Sequence, residues 1–594
     1  MFTTRPELAG TFGMVASTHW LASQSGMAVL EDGGNAFDAA VAAGFVLQVI
    51  EPHLNGPGGE VPVLGWDAAK EAPFVVCGQG VAPQAATIGR FRELGLDLIP
   101  GAGLLAACVP GAFGGWLRLL RTHGALSLRR VLSHAIGYAG HGFPLSAGAA
   151  STVAMMESSF EAHWPSSAQV WMPEGGAPHA GTLFRNPVLA ATYRGILETA
   201  EAASTDRDEQ IEAAVQCFYR GFVAERIAEF CQAGAMDGTG QAHTGLLQYD
   251  DLAGWRATQE DPVQLDYHGY TVLKPGPWTQ GPVFLQQLAL LEGFDVAAMG
   301  ASSAAFVHTV TECSKLAFAD REAFYGDPKH VEVPLAELFS ARYAAKRRRL
   351  VGDVADTGAL RPGHPAGRRP RLPTMVGGEA GAEISEAVGE PTIRLRGTAD
   401  GDTCHVDVVD RWGNMVAATP SGGWLQSSPV VPRLGFPLGT RAQMFWLEEG
   451  LPNSLAPGKR PRTTLTPTLA FRNDAQHRLG FGTPGGDAQD QWSLQFFCRH
   501  VHHGLNMQEA IEEPAFHTTH FPSSFYPRTA NPGRLHVESR LGGETMAALR
   551  TRGHDVVVED PWSLGRLSAV CRDRDGLLRA AANPRGMQGY AVGR

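Results

Sequence analysis

A mixed α/β fold is predicted by three features of the chain. The first half alternates helix-like with strand-like segments. The last third turns to short β-branched runs. Glycine and proline punctuate both, with 71 and 39 copies in 594 residues. Residues 19–32 and 34–50 are Ala/Val/Leu-rich and helix-like, parted by Gly33-Gly34. Val109-Pro110-Gly111 opens a helical stretch to about residue 123. The strand-like Tyr270-Thr271-Val272-Leu273 is stopped by Pro275-Gly276-Pro277, and a helix over 283–293 follows. The basic run 346–349 reads as the solvated end of another helix.

From about residue 352 to 402 the composition shifts to Gly, Pro, Ala, Glu and Arg with little periodicity. Such a segment buries little apolar area and is expected to be a mobile linker. The pattern changes at Thr403. Residues 403–409 read as a strand, Arg411-Trp412-Gly413-Asn414 as a turn, and 415–419 as the return strand of a hairpin. Further strands are expected over 464–471 and 478–482, with helices over 485–503 and 543–552.

Composition narrows the function. A net charge of −11 argues against a nucleic-acid partner, which needs a basic face. The longest apolar-rich stretch, 37–50, holds Asp38 and Gln48 and is too short to cross a bilayer. With no charged-then-apolar segment at the start of the chain, a cytoplasmic protein is expected. Eight scattered cysteines suit reduced thiols.

Several motifs, taken in order, resemble those of the γ-glutamyltransferase family. They are Met14-Val15-Ala16-Ser17, residues 33–42, the run Glu51-Pro52-His53-Leu54-Asn55-Gly56-Pro57-Gly58-Gly59, Val109-Pro110-Gly111, residues 316–321, and Tyr325-Gly326-Asp327-Pro328. In the second half Asp402 precedes Thr403-Cys404-His405, where the family has Thr-Thr-His. Pro457-Gly458-Lys459-Arg460-Pro461 and Thr483-Pro484-Gly485-Gly486 complete the set. The resemblance implies a four-layer αββα sandwich of the N-terminal nucleophile hydrolase type. It also implies a precursor cut between Asp402 and Thr403 into a large subunit, 1–402, and a small catalytic subunit, 403–594, which stay together as one folded unit. Oligomers of that heterodimer are compatible with it. No cofactor and no metal are expected.

The chemistry follows from what a hydroxyl lacks. A threonine side chain is a poor nucleophile until a base takes its proton. Cleavage before Thr403 frees an α-amine, with a pKa of about 7.7–8.0, beside that hydroxyl. By the resemblance, Thr403 attacks first the Asp402 carbonyl and later a small-molecule amide. Thr419 and Ser421 position and activate it, and Gly485 and Gly486 donate to the oxyanion. Read without that context, Thr403 is simply a strand residue and Gly485-Gly486 a tight turn.

The substrate anchors depart from the family pattern. Gln79 stands where an arginine holds the glutamyl carboxylate, and Trp446 where an aspartate holds the amine. Gly423 replaces an asparagine, and Thr463 and Thr464 replace a serine pair. Losing both ionic anchors removes about 1.5–3 kcal/mol for each charged hydrogen bond. Arg441 is a candidate carboxylate clamp or, equally, a turn arginine. These changes resemble the branch that contains oxamate amidohydrolase, which points to a small or non-glutamyl amide. A true glutathione-cleaving transferase and an unprocessed, catalytically silent binding protein are the alternatives. Cys498, His500, His502 and His503 on one helix, and His517 and His520, read as structural residues rather than a metal site. Cys404, pointing opposite to Thr403 on a strand, reads as core.

Overall fold

The side chains of Val406–Asp410 alternate between two different cores, and this alternation defines the layers. In the computed structural model, which describes residues 2–374, 403–473 and 477–594, the strand lies at the heart of a seven-stranded sheet. The order there is Tyr590–Gly593, Gly13–Ser17, Val406–Asp410, Met415–Ala418, Val61–Asp67, Ala72–Gly78 and Thr258–Glu260, each pair antiparallel. A second antiparallel sheet runs Leu8–Gly10, Leu578–Ala582, Ser568–Arg572, Arg478–Gly482, Thr468–Arg472, Tyr270–Lys274 and Val263–Tyr267. Val409, Met415 and Ala417 of the first sheet meet Leu469, Val570 and Ala580 of the second in a core between them.

Val406, Val408, Val416 and Ala418 point the other way, into a core shared with helices Trp20–Glu31, Ala36–Ile50 and Ala112–His123. Every residue of Ala36–Ile50 is buried, as its nearly all-apolar sequence requires. A reciprocal capping box starts it: Asn35 accepts from the Asp38 amide, and Asp38 accepts from the Asn35 amide at 2.9 Å. Helices Gly281–Leu291, Ala304–Phe324 and Gln489–His503 cover the outer face of the second sheet. The order helix, sheet, sheet, helix is the αββα sandwich that the resemblance implied.

Element boundaries differ from expectation where backbone chemistry intervenes. The strand expected from residue 464 begins at Thr468, because Pro467 has no N–H for the ladder. The helix expected from 485 begins at Gln489, after a 3₁₀ turn, since Gly485 and Gly486 have φ of 124° and 51°. Thr403 joins the sheet through one isolated bridge to Ser421, three residues before the regular strand. Residues 352–374 are largely irregular and are tied to the body. Asp356 N donates to Glu312 at 3.2 Å and Gly363 N to Asp320 at 2.7 Å. The remainder of that expected linker, with Asp402, lies outside the described residues.

Candidate active site

Strand parity places Thr403, His405 and Asp407 on the side that faces the second sheet, while Cys404 faces the helices. Thr403 is buried, and its hydroxyl donates to Ser421 Oγ at 3.1 Å. Ser421 Oγ also accepts from Arg441 Nη2 at 2.6 Å. The same guanidinium pairs through Nε with the Glu60 carboxylate and packs over the rings of Trp424 (4.8 Å) and Phe525 (5.4 Å). Arg441 is 1% exposed and its Nη1 has no hydrogen-bond partner among the described residues. It is thus no surface turn arginine. It lies beside Ser421, fixed on one edge, with one buried donor unpartnered among the described residues.

A second chain of contacts backs the first. His405 Nδ1 pairs with Thr419 Oγ1 and its Nε2 with Asp407 Oδ1, each at 2.9 Å. Asp407 Oδ2 accepts from Ser568 Oγ at 2.7 Å, linking the two sheets. Burial pushes the Asp407 carboxyl above its ordinary range, although His405 beside it pulls the other way. The Thr419 hydroxyl therefore serves His405, which it pins in one orientation.

The expected oxyanion glycines follow the strand Arg478–Gly482. The last glycine of that strand lets the His405 ring pass, since a Cβ on Gly482 would lie 2.3 Å from it. At Gly485 a side chain is excluded twice, by the positive φ and by Trp492, whose ring would meet a Cβ at 2.1 Å. The turn is braced from behind. Gln280 Nε2 donates to the Gly486 carbonyl at 3.3 Å, and Arg321 donates to Gln280 Oε1 at 2.9 Å and to Asp487. Burial raises the Asp487 carboxyl, but Arg321 and the two Ser524 donors outweigh it and hold it below its usual range.

The remaining expected residues are more dispersed. Thr463 is buried and bridges the backbone of Thr279, and Thr464 Oγ1 is buried without a partner among the described residues. Trp446 is buried beneath the Arg528 guanidinium, 4.1 Å from its ring, with Nε1 unpartnered among the described residues. Gln79 lines a cavity of about 360 Å³ together with Cys77, Asp250, Asp327 and Arg460; neither Thr403 nor Ser421 is among its lining residues. Gly423 has φ of 65° and sits on the backbone of Gly58 and Gly59, so the loss of an asparagine there is matched by close backbone packing.

The thiol of Cys404 donates to Glu51 at 3.1 Å and is pushed up by burial and by that carboxylate, as suits an inert core residue. His502 pairs with the Tyr267 hydroxyl at 2.8 Å, His503 with the Met299 carbonyl at 2.6 Å, and His520 accepts from Gly533 N at 3.0 Å, all structural contacts.

Glu60, Asp407, Ser568, Arg321 and Asp487 were not anticipated. Asp407 was within reach of a parity argument, two and four residues beyond His405 and Thr403. The others find their partners across 161 (Ser568 to Asp407), 166 (Arg321 to Asp487) and 381 (Glu60 to Arg441) residues, pairings that no local pattern reports.

The sandwich and this constellation define an N-terminal nucleophile amidohydrolase. The gamma-glutamyltranspeptidase family model matches residues 22–593, and the chain belongs to that family. It is similar to the oxamate amidohydrolase proenzyme of Klebsiella pneumoniae, with 32% identity over 98% of both chains. Among solved structures, one described as "Structure of LmbA2991HD" superposes with a TM-score of 0.94 at 56% identity, covering all of both chains. The cephalosporin acylase from Bacillus halodurans superposes with a TM-score of 0.82 at 28% identity, covering 100% of this chain and 97% of that one. No helix among the described residues is long and apolar enough to cross a membrane.

Proposed function

We propose that the chain is a self-processing N-terminal-threonine amidohydrolase that hydrolyses a small, non-glutamyl amide acid. The observation that carries this reading is the buried hydrogen bond from Thr403 to Ser421, which Arg441 holds in place from the other side. In the precursor the Thr403 hydroxyl attacks the Asp402 carbonyl. The C–N bond breaks, an ester forms, and the Thr403 α-amine is released; water then cleaves the ester. In the mature enzyme that amine takes the hydroxyl proton as the oxygen attacks a substrate amide. Gly485 and Gly486 N–H groups stabilise the oxyanion; the protonated α-amine passes its proton to the substrate nitrogen, which leaves as ammonia or an amine as the C–N bond breaks, and water hydrolyses the acyl-enzyme. The two products of cleavage, 1–402 and 403–594, stay joined because both contribute strands to both sheets. Val406–Asp410 is paired on one side with Gly13–Ser17.

Neutral Gln79 and aromatic Trp446 offer no ionic grip for a zwitterionic glutamyl head. The unpartnered Nη1 of Arg441 offers a donor for a single carboxylate close to the nucleophile. An oxamate-like compound has that carboxylate next to its amide.

Denaturing electrophoresis tests the first half: 402 and 192 (594 − 402) residues give two bands, and Thr403→Ala stays whole. A wild-type chain that remains single after long incubation would sink the processing claim and support the silent binding protein. An assay panel of oxamate, simple acyl amides and a γ-glutamyl anilide with a dipeptide acceptor tests the second half. Fast, acceptor-stimulated turnover of the glutamyl compound would reassign the enzyme as a transferase.

A further inference from the structure

At the end of the second sheet remote from Gly485, three chemically distinct ligand atoms converge. His477 precedes the strand Arg478–Gly482, while Cys571 and Asp573 lie at the end of its neighbour Ser568–Arg572. His477 Nδ1 is 3.4 Å from Cys571 Sγ and 3.0 Å from Asp573 Oδ1, and Sγ is 3.5 Å from that oxygen. A tetrahedral zinc with ordinary bond lengths sets its ligands about 3.5 Å (N to S), 3.6 Å (S to O) and 3.4 Å (N to O) apart. Two of the three spacings match within about 0.1 Å, and the third, 3.0 Å between His477 Nδ1 and Asp573 Oδ1, reaches its value when the half-buried carboxylate moves outward by about 0.4 Å.

We propose that His477, Cys571 and Asp573 bind one borderline-soft divalent cation, zinc by preference, with water in the fourth position. One thiolate, one imidazole and one carboxylate are the donors that zinc accepts, and two anions neutralise its charge. Binding expels the Cys571 thiol proton to solvent as the S–metal bond forms. The surroundings are arranged for it. Arg579 Nε donates at 2.7 Å to Asp573 Oδ2, the oxygen the cation leaves free, and Arg579 is itself balanced by Glu7 at 3.1 Å. His500 stacks on His477 with ring centroids 5.8 Å apart and its Nδ1 is taken by the Leu505 carbonyl; it walls the site and is not among the converging ligands.

The other such group among the described residues, His308, Glu312 and His554, is different in kind. Lys315 Nζ lies 2.6 Å from Glu312 Oε1 and already fills the place of a cation. A metal at Cys571 clamps the far ends of two strands whose near ends hold Gly482 against His405 and Ser568 against Asp407, so its role is to stiffen the frame of the catalytic layer.

The test is cobalt titration of the full chain after chelation. Expected are one equivalent bound per chain, a thiolate-to-cobalt charge-transfer band, and its loss when zinc is added. The band should vanish in Cys571→Ser, and affinity should fall at least tenfold in Asp573→Asn. His477→Ala, at a partly exposed site, serves if the cysteine variant does not fold, and should bind no cobalt. No thiolate band in the wild type, or one that survives in either Cys571→Ser or His477→Ala, overturns the proposal.

Discussion

The Thr403 hydroxyl and the Ser421 hydroxyl meet at 3.1 Å across an isolated antiparallel bridge that joins their backbones. Because Arg441 also donates to Ser421 Oγ, the serine oxygen receives two donors and orients the Thr403 oxygen before any substrate arrives. Ser421→Ala removes that acceptor from a buried position. Self-cleavage, followed as the appearance of the small band, is expected to slow by about 10²-fold or more, in the range for a positioned proton-transfer partner. Ser421→Thr keeps the oxygen and should restore most of the rate. Equal rates in Ser421→Ala and wild type would remove Ser421 from the mechanism.

Arg441 and Glu60 form a buried pair 381 residues apart in sequence, with side chains 1% and 4% exposed. Arg441→Met leaves the Glu60 carboxylate buried without its guanidinium, a loss of about 3–5 kcal/mol in comparable cases. Urea unfolding in the Thr403→Ala background, which is expected to stay whole, isolates this effect from processing. Adding Glu60→Gln to Arg441→Met should recover much of the stability, since the buried carboxylate that lost its guanidinium is replaced by a neutral amide, while turnover of a carboxylate-bearing amide stays lost. Additive stability losses in the double variant would show that the pair is not energetically coupled.

Gly485 carries two separate demands, a left-handed backbone and clearance for Trp492. Gly485→Ala violates both. Loss of one oxyanion donor costs about 10²–10³ in rate, and the displaced turn should reach that loss in single-turnover acylation. Circular dichroism should show the fold retained, because the turn is braced independently by Gln280, Arg321 and Asp487. Acylation within a factor of two of wild type would mean that these glycines do not form the oxyanion hole.

How far the sequence could be read follows from the range of each interaction. The opposite facing of Thr403 and Cys404 was legible because strand parity is local, and Cys404 does lie in the core shared with the helices. The helix Ala36–Ile50 was legible from its Ala/Val/Leu-rich run and the Gly33-Gly34 break before it. Pro467, which lacks the ladder N–H, is itself a local signal for the shorter strand. Glu60 with Arg441, and Arg321 with Asp487, have no such signal. Their partners are chosen by how the sheets stack, and a charged residue in a turn looks the same whether it is buried or exposed. Gln79 stands apart for the same reason. A motif offset located it on the chain, but the cavity it lines is set by Asp250, Asp327 and Arg460, which come from elsewhere.

Acid sensitivity is built into the buried histidines. His53, fully buried behind the 420–427 loop, is lowered to about 3 by desolvation and then by Arg566 and His19; His554 is lowered to about 3 by desolvation and then by Lys315. Both folded values lie below the ordinary 6.5, so the unfolded chain binds the protons that the native state refuses. Their contribution to stability is therefore full above pH 6.5 and is lost as the pH falls toward 3. One unit below 6.5, a fully buried histidine of this kind accounts for about 1.4 kcal/mol of lost stability. Unfolding free energies of Thr403→Ala measured from pH 7.5 to 5 should fall with acid, and His53→Gln should flatten the slope by about one proton. A slope unchanged by His53→Gln would mean that this imidazole titrates alike in both states. The burial of its ring against Gly148 makes the opposite expectation the physical one, since a charged imidazole there would lose its hydration and face the positive Arg566.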